Sequence, residues 1–103
     1  MIVIGWQSGK PSKTTGGGYG LRVRRGDRDK YFKRNWSEVL VQFDSVVIAV
    51  HISESFWRNC IELRNLKIGQ WMMDHGLAPW PKGSPPKFEL EYVGERRFSM
   101  RIH

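Results

Sequence analysis

The chain has 103 residues, 40% of them hydrophobic and 13% aromatic, with a net charge of +7. That length gives one domain with a modest core, and five Trp with five Phe exclude a disordered tail. A lone cysteine, Cys60, excludes an internal disulfide and a paired-cysteine metal clip, and points to a reducing, intracellular setting in the cytoplasm.

The apolar start "MIVIGW" breaks at Gln7, too early for a signal segment. Residues 2–6, "IVIGW", read as a short first strand. The polar stretch "QSGKPSKTTGGG" follows as a loop, so residues 1–18 are expected to be a flexible or partly ordered N-terminal segment of a single domain, 1–103. "YGLRV" alternates, with Leu21 and Val23 on one face and Arg22 and Arg24 on the other. "GDRDKYFKRNW" reads as a short helix capped by Asp27, with Tyr31 and Phe32 turned inward.

"EVLVQF" and "VVIAVHI" read as strands joined in a tight hairpin at Asp44 and Ser45. The second is apolar on most of both faces, which predicts a central position. It is strand length and cannot span a bilayer, so no membrane partner is expected. "SESFWRNC" reads as a second short helix capped by Ser53. The longest helix is "NLKIGQWMMDHG", between Asn65 as N-cap and Gly76 as C′ residue, with Ile68, Trp71, Met72 and His75 on one face. "LAPWPKGSPPK" is a proline-rich connection, neither helix nor central strand. Last come "KFELEYV" and "RFSMRIH" around Gly94 and Glu95, with Phe88, Leu90 and Tyr92 pairing Phe98, Met100 and Ile102. The expected fold is mainly β (α+β): a small antiparallel pseudobarrel of about six strands, with two short helices and one longer one.

The charge is concentrated. Residues 1–36 hold nine basic residues and two acids, whereas residues 37–103 are neutral overall. Concentration in one third of the chain suggests a footprint for a polyanion. The glycine run beside it matches neither phosphate motif. A P-loop needs GxxxxGK[ST] before a helix, and the dinucleotide turn starting at Gly16 would need glycine where Leu21 stands. The run therefore reads as a hinge, with Gly20 allowing close backbone approach.

Catalytic constellations are sparse. His51, His75 and His103 show no metal-ligand spacing, so neither a metal nor a cofactor is expected. Asp27 and Asp29 lie among arginines and lysines, where ion pairing and capping account for them. With no convergent acid–base set, an enzyme is disfavoured. Trp71 reads as core, and Trp36 and Trp80 as loop anchors. Trp57, Arg58 and Asn59 group an aromatic with side chains that contact bases, although Phe56 and Trp57 could equally plug a barrel end.

The order of "YGLRVRRGDRDKYF", "EVLVQFDSVVIAVHI", "IGQWMMDHGL", "KFELEY" and "RFSMRI" resembles the DNA-binding pseudobarrel of plant auxin-response and abscisic-acid transcription factors. Restriction-endonuclease effector domains share that fold. The resemblance spans roughly residues 19–102. The segments "GYG…DRDKYF…W" and "PWPKG" also resemble small bacterial proteins, a likeness without functional content. In the pseudobarrel family two arms clamp the major groove. The resemblance implies one arm at Arg22, Arg24, Arg25, Arg28, Lys30, Lys33 and Arg34, and another at Trp57, Arg58, Asn59, Arg64 and Asn65. "PWPKGSPP" departs from the family, which has a short acidic turn there.

The expected function is non-enzymatic binding of nucleic acid, duplex DNA first, with basic groups on phosphates and loop side chains on base edges. The alternative is a protein-interaction module using Trp80 and the Trp/Pro-rich surface 77–86. A third is a small nuclease using His51 or His75.

Overall fold

The computed structural model describes residues 1–103. In chain order the elements are β1 (Ile2–Gln7), β2 (Tyr19–Arg22), α1 (Arg25–Tyr31), β3 (Glu38–Phe43) and β4 (Val46–His51). A 3-10 turn (Glu54–Trp57) leads to β5 (Glu62–Arg64), α2 (Leu66–Asp74), β6 (Lys87–Gly94) and β7 (Arg97–Ile102). The seven strands form one sheet in the order β4-β3-β7-β6-β1-β2-β5. Its two ends curl towards each other, and Asn65 Nδ2 donates to Ala49 O at 3.0 Å across the gap. The result is a mainly β, nearly closed barrel-like sheet with two α-helices.

Local pattern accounts for most of these elements. In β3, Val39, Val41 and Phe43 alternate inward and are buried. The β6–β7 register pairs Phe88 with Ile102, Leu90 with Met100, and Tyr92 with Phe98, as alternation predicts. The turn between them uses Glu95 and Arg96 at positive φ, the geometry of a two-residue hairpin loop. In α2, the Asn65 side chain accepts from Lys67 N–H at 2.8 Å, and Gly76 leaves the helix at φ 68°. Ile68 and Met72 face the core from this helix. Each buried Ile, Leu or Phe contributes about 1.5–3 kcal/mol relative to exposure.

Several expectations are corrected. There are seven strands, not about six, because the three-residue β5 is too short to show a period. The "SESFWRNC" segment is a 3-10 turn and not a third helix, and Ser53 Oγ meets Ser55 Oγ at 2.7 Å with no backbone cap. The sheet is not antiparallel throughout: β3 and β7 pair in parallel, Val41 opposite Phe98. β4 ends the sheet order instead of lying centrally, and its Val46 and Val47 are 43% and 44% exposed. The N-cap of α1 is Arg24, without a side-chain cap, while Asp27 lies in the first turn, where a carboxylate favours the helix dipole. Trp71 is half-buried, its ring 4.8 Å from that of Phe43 and its Nε1 donating to Asp44 at 3.2 Å. The expected first strand is present as Ile2–Gln7, one residue longer than "IVIGW", between β6 and β2.

The glycine run is a seat for α2. Gly16 is buried at φ 84°, and its carbonyl lies so close to Gly69 of α2 that a Cβ at Gly69 would collide with it. Gly18 also holds φ 84° and packs beside Ser8 and Pro11. Backbone bonds Ser8 N–H to Gly18 O and Ser12 N–H to Gly17 O, both 2.8 Å, tie the loop closed. The hinge expectation is replaced by a packed contact. Gly20 does permit close approach, since a Cβ there would stand 2.6 Å from Leu63 O of β5.

Candidate functional site

The basic segment leaves β2 on its outer face and runs through α1. Arg22, opposite Ile4 and Glu62 in the register, is exposed. Arg24 and Arg25 follow at the start of α1, also exposed. Lys30, Lys33 and Arg34 are exposed beyond them, with Lys30 Nζ 5.2 Å from the Tyr31 ring centre. α1 is short and polar, and its only buried residue is Arg28.

Arg28 is therefore withdrawn from the expected contact set. It is 5% exposed, its Nε donates to Asp29 at 2.9 Å, and its Nη1 donates to Phe56 O at 3.2 Å. Its guanidinium also lies 5.2 Å from the centre of the Trp57 ring. Burial of a cation is tolerated because carboxylate, carbonyl and π-face share its charge. Asp29 neutralises it, so the pair adds no net charge to the surface.

Trp57 joins the two predicted arms. Arg34 lies 5.0 Å from the same ring, so Trp57 has one arginine from the middle of α1 and one from beyond its C-terminal end near it. Its ring is edge-on to Phe56, which packs on Phe32 at 5.0 Å, and Phe32 stacks on Phe98 at 4.8 Å. Phe56 is buried in the core, and Trp57 packs partly buried against it. Arg58 and Asn59 follow on the exposed side of the turn. Arg28 and Arg34 of the basic segment thus meet the 3-10 turn at Phe56 and Trp57.

Arg64 and Asn65 lie apart, at the β5–α2 junction. Asn65 is occupied by both ends of its amide, as N-cap and as bridge to Ala49, which removes it from the base-reading set. Arg64 is half-exposed, with Nη2 donating to Glu62 at 2.6 Å and its guanidinium 4.4 Å from the Trp6 ring centre. Trp6 is the residue that sequence reasoning passed over. The signal was present: Ile2, Ile4 and Trp6 share the face of "IVIGW" opposite the buried Val3.

Comparisons with protein-family models, curated proteins and solved structures find no match to this chain.

The remaining candidates have ordinary surroundings. His51 borders a small cleft of about 180 Å³ with Ser53, Ser55, Cys60, Glu62 and Arg64. His75 Nδ1 is 2.9 Å from Trp71 O, and its Nε2 is 3.5 Å from Asp44. No group of three or more His, Cys, Asp or Glu side chains is placed to hold a metal ion. Trp80, expected as a partner surface, is half-buried: its ring meets Tyr19 edge-on at 5.6 Å and lies over Gly5. No helix is long and apolar enough to cross a membrane.

Proposed function

We propose that this chain is a non-enzymatic nucleic-acid-binding domain that holds duplex DNA along the basic edge of β2, α1 and the 3-10 turn. One observation carries the reading. Arg22, Arg24, Arg25, Lys30, Lys33, Arg34 and Arg58 are all exposed, and none has an ion-pair partner within the chain. Cations concentrated in a short segment without counter-charges repel one another, and a polyanion relieves that repulsion while releasing its own condensed counterions. Trp57 supports the reading by fastening segment 22–34 to the turn that bears Arg58 and Asn59. On this reading the segment that holds phosphates is tied to the turn that reads bases.

The order of elements supports duplex DNA through its resemblance to the plant pseudobarrels. The arm assignments of that resemblance carry over without Arg28, which is buried, and without Asn65, whose amide caps α2 and bridges to Ala49. Arg22, Arg24, Arg25 and Arg34 hold the phosphates. Arg58 and Asn59 reach base edges.

The test is a binding titration with duplex DNA, single-stranded DNA and RNA at several salt concentrations. Four phosphate contacts give a slope of about −3.6 in log affinity against log salt on B-DNA. Binding to duplex with a slope near that value supports the reading. Absence of duplex binding at low salt, or an affinity indifferent to salt, overturns it.

A further inference from the structure

A second tryptophan–arginine assembly, distinct from that at Trp57, lies on the outer face of the sheet. The register places Trp6 of β1, Gly20 of β2 and Arg64 of β5 in one row. Gly20 has no side chain, so Trp6 leans over the β2 backbone, and a Cβ at Gly20 would stand 3.3 Å from Trp6 Cε3. Arg64 reaches across the glycine gap, and its guanidinium lies over part of the indole, 4.4 Å from the ring centre. Beside it opens a cleft of about 360 Å³, walled by Trp6, Ser8, Gly18, Arg64 and Leu66. Leu66 forms an apolar lip, 49% exposed.

We propose that this cleft takes one unpaired nucleobase of the bound nucleic acid, stacked in the Trp6 wall and held at its edge by Arg64. The proposal rests on the nucleic-acid reading above and names a feature that the substrate carries. Three properties select a base. The volume falls at the low end of the roughly 300–1,000 Å³ of ligand clefts, which suits one flat ring system. The indole and Leu66 supply apolar and π surface, on which any base stacks. Arg64 has guanidinium N–H groups beyond the one given to Glu62, and the acceptor pair of guanine matches that fork best. Exposed Arg22 stands on the same face of β2, two residues beyond Gly20, where it can hold the phosphate next to the base.

The test compares a short duplex with the same duplex carrying one bulged guanine. The wild-type chain binds the bulged form about tenfold more tightly, the scale of one base–aromatic stack. Trp6→Leu keeps apolar bulk and removes the stack. Leu66→Asp sets a carboxylate at the cleft mouth. Leu66 is exposed at the first position of α2, where a carboxylate favours the helix, so this variant folds even if Trp6→Leu does not. Each folded variant loses the preference for the bulge and keeps wild-type affinity for the paired duplex. Equal binding of the two forms by the wild type overturns the cleft proposal and leaves the nucleic-acid reading standing. A preference that persists in the variants also overturns it, since the base then sits elsewhere. Failure to bind either form overturns both readings together.

Discussion

The glycine run at residues 16–18 and the basic run at residues 22–34 are neighbours in the chain with opposite fates. The glycines suggest freedom, yet they are pinned under α2 by backbone contacts to Gly69 and by bonds across the loop. The basic residues suggest a solvated face, yet one of them, Arg28, is buried against Trp57 and Phe56. Flexibility and charge are properties of a residue type. Whether they are expressed depends on what another part of the chain places beside them.

The largest effect should come from breaking the glycine seat. Gly69→Ala drives a methyl group into the Gly16 carbonyl, so α2 must lift from the loop. Overpacking of this kind costs about 3 kcal/mol, readable as a lower midpoint in urea unfolding. A loss below about 1 kcal/mol would mean that the loop gives way freely and is a hinge after all. Gly16→Ala should also destabilise, because position 16 holds φ 84°.

Arg28→Ala should come next and should separate stability from binding. It leaves Phe56 O without its donor and strips one cation from the Trp57 ring. The expected cost is about 2 kcal/mol, the scale of a charged hydrogen bond with some packing. The salt dependence of DNA binding should stay at the wild-type slope. A flattened slope would return Arg28 to the phosphate-contacting set.

Arg24→Ala with Arg25→Ala inverts that pattern. Both side chains are exposed and unpaired, so stability should hardly move. The slope in log affinity against log salt should become shallower by about 1.8, because the variant no longer neutralises two of the phosphates. Affinity should weaken for all duplex sequences alike. Unchanged duplex binding would reduce the basic run to a solvated face.

The smallest effect on overall affinity belongs to Asn59→Ala. Asn59 carries no charge, so the salt slope should stay constant while preference among duplex sequences relaxes, by about 1–3 kcal/mol at the base it reads. A competition assay across a randomised duplex pool reads this directly. An unaltered sequence preference would remove Asn59 from the base-reading set.

Legibility followed distance along the chain. The hairpins β3–β4 and β6–β7, the Asn65 cap and the Gly76 exit were visible in the sequence, because alternation, capping and turn chemistry act over a few residues. The exposed cations were visible as charge. Trp57 was visible as an ambiguous grouping, and its packing on Phe56 depends on Phe32 and Phe98 from distant elements.

By itself the sequence determined that the chain is mainly β with its charge excess in the first third, since composition and periodicity do not depend on partners. Only the tertiary structure decided that β4 ends the sheet, that β3 lies parallel to β7, and that three residues suffice for β5. It alone decided that Arg28 is interior, that Gly16 seats α2, and that Trp6 meets Arg64 across Gly20. The physical reason is common to all of these. Each depends on residues far apart in sequence meeting when the sheet curls, and burial or pairing with a distant neighbour leaves no periodic trace in either segment.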